Sequence, residues 1–118
     1  MEVLRNELAD DPTVDITTTG RRSGLRRRIE IWMLDVDGRF FITGTPGRRD
    51  WLANLQSDPR LVVHLKRRAG IELAATAVPV DDTETRRRVL EHLSANWYRS
   101  QTPVDELVEA APMVEVLV

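Results

Sequence analysis

The 118-residue chain contains no cysteine. Disulfides, thiolate metal sites and a cysteine nucleophile are therefore excluded. No run of eighteen apolar residues occurs, so no membrane-spanning helix is expected. The opening stretch Met1–Asp10 is acidic and mixed, unlike a secretory signal or a transit peptide. The cytoplasm is the expected compartment. The only histidines, His64 and His92, have no ligand partner at metal-binding spacing. No metal is expected, and both are read as structural or surface side chains. No Ser-His-Asp set can be assembled from the sequence. Six aromatics and a net charge of −2 argue against a nucleic-acid partner, which needs broad basic surface and stacking platforms.

What the chain does have is arginine: lysine occurs once, and the other sixteen basic residues are all arginine. The charge is segregated. Residues 1–19 carry net −4, residues 20–68 carry +7 and residues 81–118 carry −4. A basic middle in a near-neutral protein suggests a local anion site, and arginine suits bidentate recognition of phosphate or carboxylate. The composition, 42% hydrophobic and 31% charged, is that of an ordinary globular protein. The length predicts a single domain over 1–118 with one modest core. Residues 1–13 read as an N-terminal segment, helical or flexible.

Strands are expected at Val14–Thr19, Arg27–Val36, Arg39–Gly44, Leu61–Lys66, Ile71–Val80 and Pro112–Val118, from their β-branched content and alternation. Asp37-Gly38 marks a hairpin turn. Both faces of Arg27–Val36 turn apolar after Glu30. That predicts cover on two sides, by the core and by a ligand or a second subunit. Pro79 argues for a sheet edge or a strand end. Helices are expected at Arg48–Ser57 and from Asp81-Asp82-Thr83 to about Trp97, the latter with a stripe of Val89, Leu90, Leu93 and Trp97. Arg86-Arg87-Arg88 reads as a solvated face. Pro103 opens a possible third short helix holding Leu107 and Val108. The expected class is mainly β (α+β), about six antiparallel strands curled into a barrel, with two or three helices.

Two stretches carry candidate chemistry. In Gly20-Arg-Arg-Ser-Gly-Leu-Arg-Arg-Arg28, five arginines fall within eight residues around a glycine-bounded turn. It is either an anion cradle or a solvated basic hairpin. Arg26 and Arg28 face away from Arg27, so only part of the cluster can share one ligand. In Gly44-Thr-Pro-Gly-Arg-Arg-Asp-Trp51, a glycine loop precedes a helix start, where free N–H groups favour a polarised ligand group. The alternative is a plain connector with Trp51 as a core plug. Trp97-Tyr98 reads as core packing or a ligand lid.

The stretches Ile16–Gly24 with Arg27, Gly44–Gly47, Asp50–Leu55, Leu61–Lys66, Ala77–Val80 and Pro112–Val116 together resemble the deazaflavin (F420)-dependent nitroreductase and quinone reductase family. The resemblance implies a split β-barrel, of the FMN-binding or pyridoxamine-phosphate-oxidase-like kind, and a homodimer. It implies coenzyme F420, with FMN as the alternative and haem a further one. The implied reaction is hydride transfer from F420H2 to a quinone, a nitroaromatic or another activated unsaturated small molecule; the rival is a non-catalytic F420 or flavin carrier of the same fold. Matched residue by residue, coenzyme-binding positions fall on Arg21, Arg22, Ser23, Arg27, Thr43, Gly44, Thr45, Pro46, Gly47, Trp51 and Asn54. Trp32 and Tyr98 fall on the substrate side, with Tyr98 or water as proton source. The chain differs from the family pattern in a shorter loop before Asp50 without its lysine, and in a tyrosine cluster reduced to Tyr98.

Overall fold

A computed structural model describes all of residues 1–118. Seven strands form one antiparallel sheet: β1 (Thr13–Thr19), β2 (Arg26–Trp32), β3 (Leu34–Val36), β4 (Arg39–Thr43), β5 (Arg60–His64), β6 (Glu72–Pro79) and β7 (Met113–Leu117). Five helices accompany them: α1 (Glu2–Asp10), α2 (Asp50–Ser57), α3 (Thr83–Glu91), α4 (Asn96–Gln101) and α5 (Val104–Ala110). A 3-10 turn, Leu93–Ala95, leads into α4. The strand order is β2-β1-β5-β6-β7-β4-β3. The two edge strands are therefore consecutive in the chain, joined through Met33. The sheet curls until its edges meet at that residue. Met33 N–H donates to the Pro12 carbonyl at 2.9 Å, which fixes the junction to the strand that enters β1.

Alternation along the strands builds two cores. One side chain set points into the barrel: Val14, Ile16, Met33, Phe40, Ile42, Leu61, Val63, Ala75, Ala77, Val114 and Val116. Leu4 of α1 and Trp51 and Leu55 of α2 join this core. Leu34, Val36, Phe41 and Met113 point the other way, under Val89, Leu90, Tyr98, Leu107 and Val108 of the later helices. Expected and observed elements agree at most positions, and the differences have physical causes.

Arg27–Val36 is two strands, not one. Met33 serves the barrel core while Leu34 and Val36 serve the outer core. Met33, Leu34 and Val36 are thus covered within one chain, while Ile29 and Trp32 of β2 stay exposed. Pro79 ends β6, which is an interior strand, so it marks a strand end and not an edge. The helix expected to reach Trp97 stops at Glu91. His92 is extended (φ −66°, ψ 149°), its Nδ1 accepts from Ser94 N–H, and Arg99 donates to the carbonyls of Leu90 and His92 at 2.5 and 2.8 Å. Those bonds satisfy the end of α3, so the chain turns. Leu93 is then exposed rather than buried. Arg86 is no solvated side chain. It donates to the carbonyls of Val80, Val108 and Ala111 and so ties α3 to α5 and the sheet.

The N-terminal segment is helical, and it neutralises part of the basic middle. Glu7 is fully buried. Its carboxylate accepts from Lys66 N–H at 3.1 Å, Arg67 N–H at 3.0 Å and the Arg68 guanidinium at 2.8 Å. Asp11 pairs with Arg67 at 3.0 Å. Burial by itself would raise the Glu7 pKa, but the Arg67 amide, the Arg68 guanidinium and the Lys66 amide together hold it below 4.5. A lowered folded-state pKa gives stability that is complete above the unfolded value and lost as pH falls through the folded one. Glu7→Gln should therefore cost about 1–3 kcal/mol near neutral pH. Urea unfolding of both proteins across the acidic range should show the difference shrinking as pH drops.

Candidate functional site

The turn between β1 and β2 is closed by its own backbone. Gly20 N–H donates to the Leu25 carbonyl at 2.8 Å and Gly24 N–H to the Gly20 carbonyl at 2.9 Å. Gly24 has φ +70°, a conformation glycine adopts without strain. Gly20 has no room for a side chain: a Cβ there would lie 2.7 Å from Ser23 Oγ. Ser23 Oγ accepts from Leu25 N–H at 3.1 Å, which leaves its own O–H free to donate.

Asn54 of α2 pins this turn from below. Its Oδ1 accepts from Arg21 N–H at 3.1 Å and from the Arg21 guanidinium at 3.2 Å. Asn54 is itself buried. It organises the turn rather than facing open space. Trp51 likewise sits in the barrel core, only 7% exposed, and shapes the site from behind. Thr43 is buried with its hydroxyl donating to the Pro112 carbonyl at 2.7 Å.

Two adjoining grooves flank the start of α2. One, of about 480 Å³, is lined by Arg21, Arg22, Ser23, Arg27, Ile29, Asp50 and Asn54. The other, of about 670 Å³, is lined by Arg21, Arg22, Gly47, Arg48, Arg49 and Asp50 together with the outer side of α2 and Ala110. Arg21 pairs with the exposed Asp50 at 3.5 Å, and Arg28, on the opposite face of β2, pairs with Asp15 at 3.0 Å. Arg22, Arg27 and Arg48 have no carboxylate partner within 4 Å. No side chain caps α2, so the amides of its first turn have no side-chain partner. Unpaired guanidiniums beside free amides make a region of positive potential suited to an extended anion.

An aromatic wall stands at the end of the β1–β2 ladder away from the turn, and the sequence disclosed only part of it. Trp32, Trp97 and Tyr98 meet edge to face: centroids lie 5.5 Å apart for Trp32–Trp97, 5.4 Å for Trp97–Tyr98 and 6.2 Å for Trp32–Tyr98. Tyr98 is buried, but Trp32 and Trp97 remain 38% and 49% exposed. Burial raises the Tyr98 pKa, opposed by the Arg49 charge, so the phenol stays protonated at neutral pH. Trp97 joins this wall because α3 breaks at His92. Arg49 was also missed by sequence reading, since nothing in its spacing separates it from Arg48.

A third groove, about 580 Å³, crosses the outer face of the sheet and is lined by residues including Thr17, Arg26, Arg60, Val62, Ala74, Leu117 and Val118. It has no aromatic wall. Thr17 Oγ1 and His64 Nε2 lie 2.7 Å apart there, with His64 Nδ1 3.3 Å from Glu72 but poorly aligned for a hydrogen bond. Thr17 is mid-ladder between Arg28 and Val62. No free amide of that segment is available as an oxyanion hole, so acyl transfer is not supported.

Residues 4–116 match the F420H(2)-dependent quinone reductase family. The chain belongs to this family. F420 is accordingly its coenzyme. No match was found among curated proteins. Among solved structures, an F420-H2 dependent reductase, FDR-A, is 20% identical with TM-score 0.62, covering 92% of this chain and 95% of that one. HutZ, a heme storage protein from Vibrio cholerae, is 13% identical with TM-score 0.70 over 98% of this chain and 87% of that one. A putative pyridoxamine 5'-phosphate oxidase from Listeria innocua is 10% identical with TM-score 0.71 over 98% and 90%. At these identities the structures establish the fold, a pyridoxamine-phosphate-oxidase-like split barrel.

Asn54 is the residue on which the geometry of the basic turn depends. Asn54→Ala should lower stability by about 1–3 kcal/mol, because the Arg21 amide is left unpaired. Amide hydrogen exchange should quicken across Gly20–Gly24, with little change in the distant β4–β7 ladder.

Proposed function

We propose that the protein is an F420H2-dependent reductase that delivers a hydride to a quinone, a nitroaromatic or another activated unsaturated small molecule. The observation that carries this reading is the pair of adjoining grooves at the start of α2 that hold three arginines without carboxylate partners, next to the glycine of the preceding loop. F420 combines an anionic phosphodiester and polyglutamate tail with a flat apolar ring, and the arginines of the grooves suit the tail. When bound, the coenzyme supplies a two-electron hydride donor.

The chain's own residues do the remaining work. Arg21, Arg22, Ser23 and Arg27 bind the acidic tail. The backbone from Thr43 to Gly47 faces the ring, with Trp51 and Asn54 supporting it from behind. Trp32 and Tyr98 line the acceptor side and exclude water from the reacting atoms. Such a site must hold donor and acceptor about 3–3.5 Å apart, and needs no side-chain nucleophile. Tyr98, kept protonated by its burial, supplies the proton that completes reduction, or orients a water that does. Catalysis in the cytoplasm is part of the same reading.

A homodimer is also part of this proposal. The outer face of β1, β5 and β6 carries no packed helix, and Val78, Leu117 and Val118 are exposed on or beside it. Sedimentation should give a mass twice the 13.5 kDa of the chain; a monomer at micromolar concentration would remove this element. F420 titrated into the protein should lose fluorescence on binding. Arg21→Ala and Arg27→Ala should each weaken that binding by about tenfold, and added salt should weaken it further. F420H2 oxidation by an added quinone should require the protein. Binding without turnover would assign it a carrier role instead, and a yellow or red protein on purification would point to flavin or haem.

A further inference from the structure

Arg49 immediately precedes α2, and its guanidinium folds back over the loop before it. One Nη donates to the Thr45 carbonyl at 2.8 Å and lies 3.2 Å from the Thr45 hydroxyl. The other donates to the Arg48 carbonyl at 3.1 Å. The same group fills the space in front of both loop glycines. A Cβ on Gly44 would meet it at 3.3 Å, and one on Gly47 at 3.1 Å. Gly47 has φ +137°, a conformation that disfavours a side chain. The loop is thus wrapped around a guanidinium, and the two glycines leave the room it occupies. Arg22, Arg27 and Arg48 keep their charges free for a ligand, whereas Arg49 uses its donors on the protein itself.

We propose that Arg49 is a positioning residue that holds the Gly44–Gly47 backbone in the shape that receives the coenzyme ring. The proposal rests on the reading above that this loop faces the deazaflavin. The fork of the guanidinium matters, because one planar group reaches Thr45 and Arg48 together. Lysine offers a charge with no such fork.

Arg49→Lys and Arg49→Ala test it. Both variants should lower the backbone order parameters of Gly44, Thr45 and Gly47 to about 0.6 or less without any coenzyme present, because the Thr45 and Arg48 carbonyls lose the guanidinium that joins them. Both should bind F420 about tenfold more weakly by fluorescence titration. Melting curves will identify a variant that has lost its fold, and Arg49→Lys decides the question if Arg49→Ala has. Order parameters unchanged from wild type and F420 affinity within about twofold of it in Arg49→Lys would overturn the proposal. A wild-type protein that binds no F420 would remove the proposed function and the ring-holding role, while the loop order parameters would still judge the Arg49 contacts.

Discussion

Closure of the sheet through Met33 is the constraint on which the site depends. The two edges of the sheet, β2 and β3, are consecutive in sequence, so the curl is enforced by a covalent link rather than by a ladder between them. The chain changes sides at this point. Met33 enters the barrel core, and Leu34 enters the outer core under the helices. Trp32, one residue earlier, is left at the surface next to α4. The aromatic wall exists because a strand ends there.

Charge is arranged by subtraction. The excess of arginine and lysine in residues 20–68 is too diffuse to define a site by itself. Folding brings the acidic N-terminal helix against Lys66–Arg68, and Asp15 against Arg28 and Lys66. Those pairs remove much of the positive field from one side of the molecule. What survives is concentrated around Arg22, Arg27 and Arg48, at the open start of α2. An anion approaching this surface meets exposed guanidiniums that are not tied up by carboxylates.

Most of the fold was legible from local pattern. The β-branched run of Val14–Thr19, the Asp37-Gly38 turn and the apolar spacing of α2 all specify their structures at short range, so strand and helix positions agree closely with expectation. The failures came where a distant partner decides the outcome. Nothing near Glu91 in sequence announces a helix end, because the group that satisfies the Leu90 and His92 carbonyls is Arg99. Arg86 looked like part of an exposed basic run, because the carbonyls that claim it belong to residues up to 25 positions away. The split at Met33 was hidden because the pattern of a strand covered on both faces is also the pattern of a chain crossing between two cores.

The same division holds for the site. The residue types were set by the sequence: a glycine-bounded arginine turn, a glycine loop ahead of a helix, and the motif spacing that marks the family. These are contiguous, and their chemistry survives without knowledge of the fold. Which arginines stay free was settled only by tertiary structure, because pairing depends on carboxylates from α1 and β1 that are remote along the chain. Tertiary structure also made Asn54 a support for Arg21, turned Arg49 inward onto Thr45, and set Trp97 against Trp32. Hydrogen bonds and ring contacts act over a few ångströms, and only folding brings residues tens of positions apart within that range.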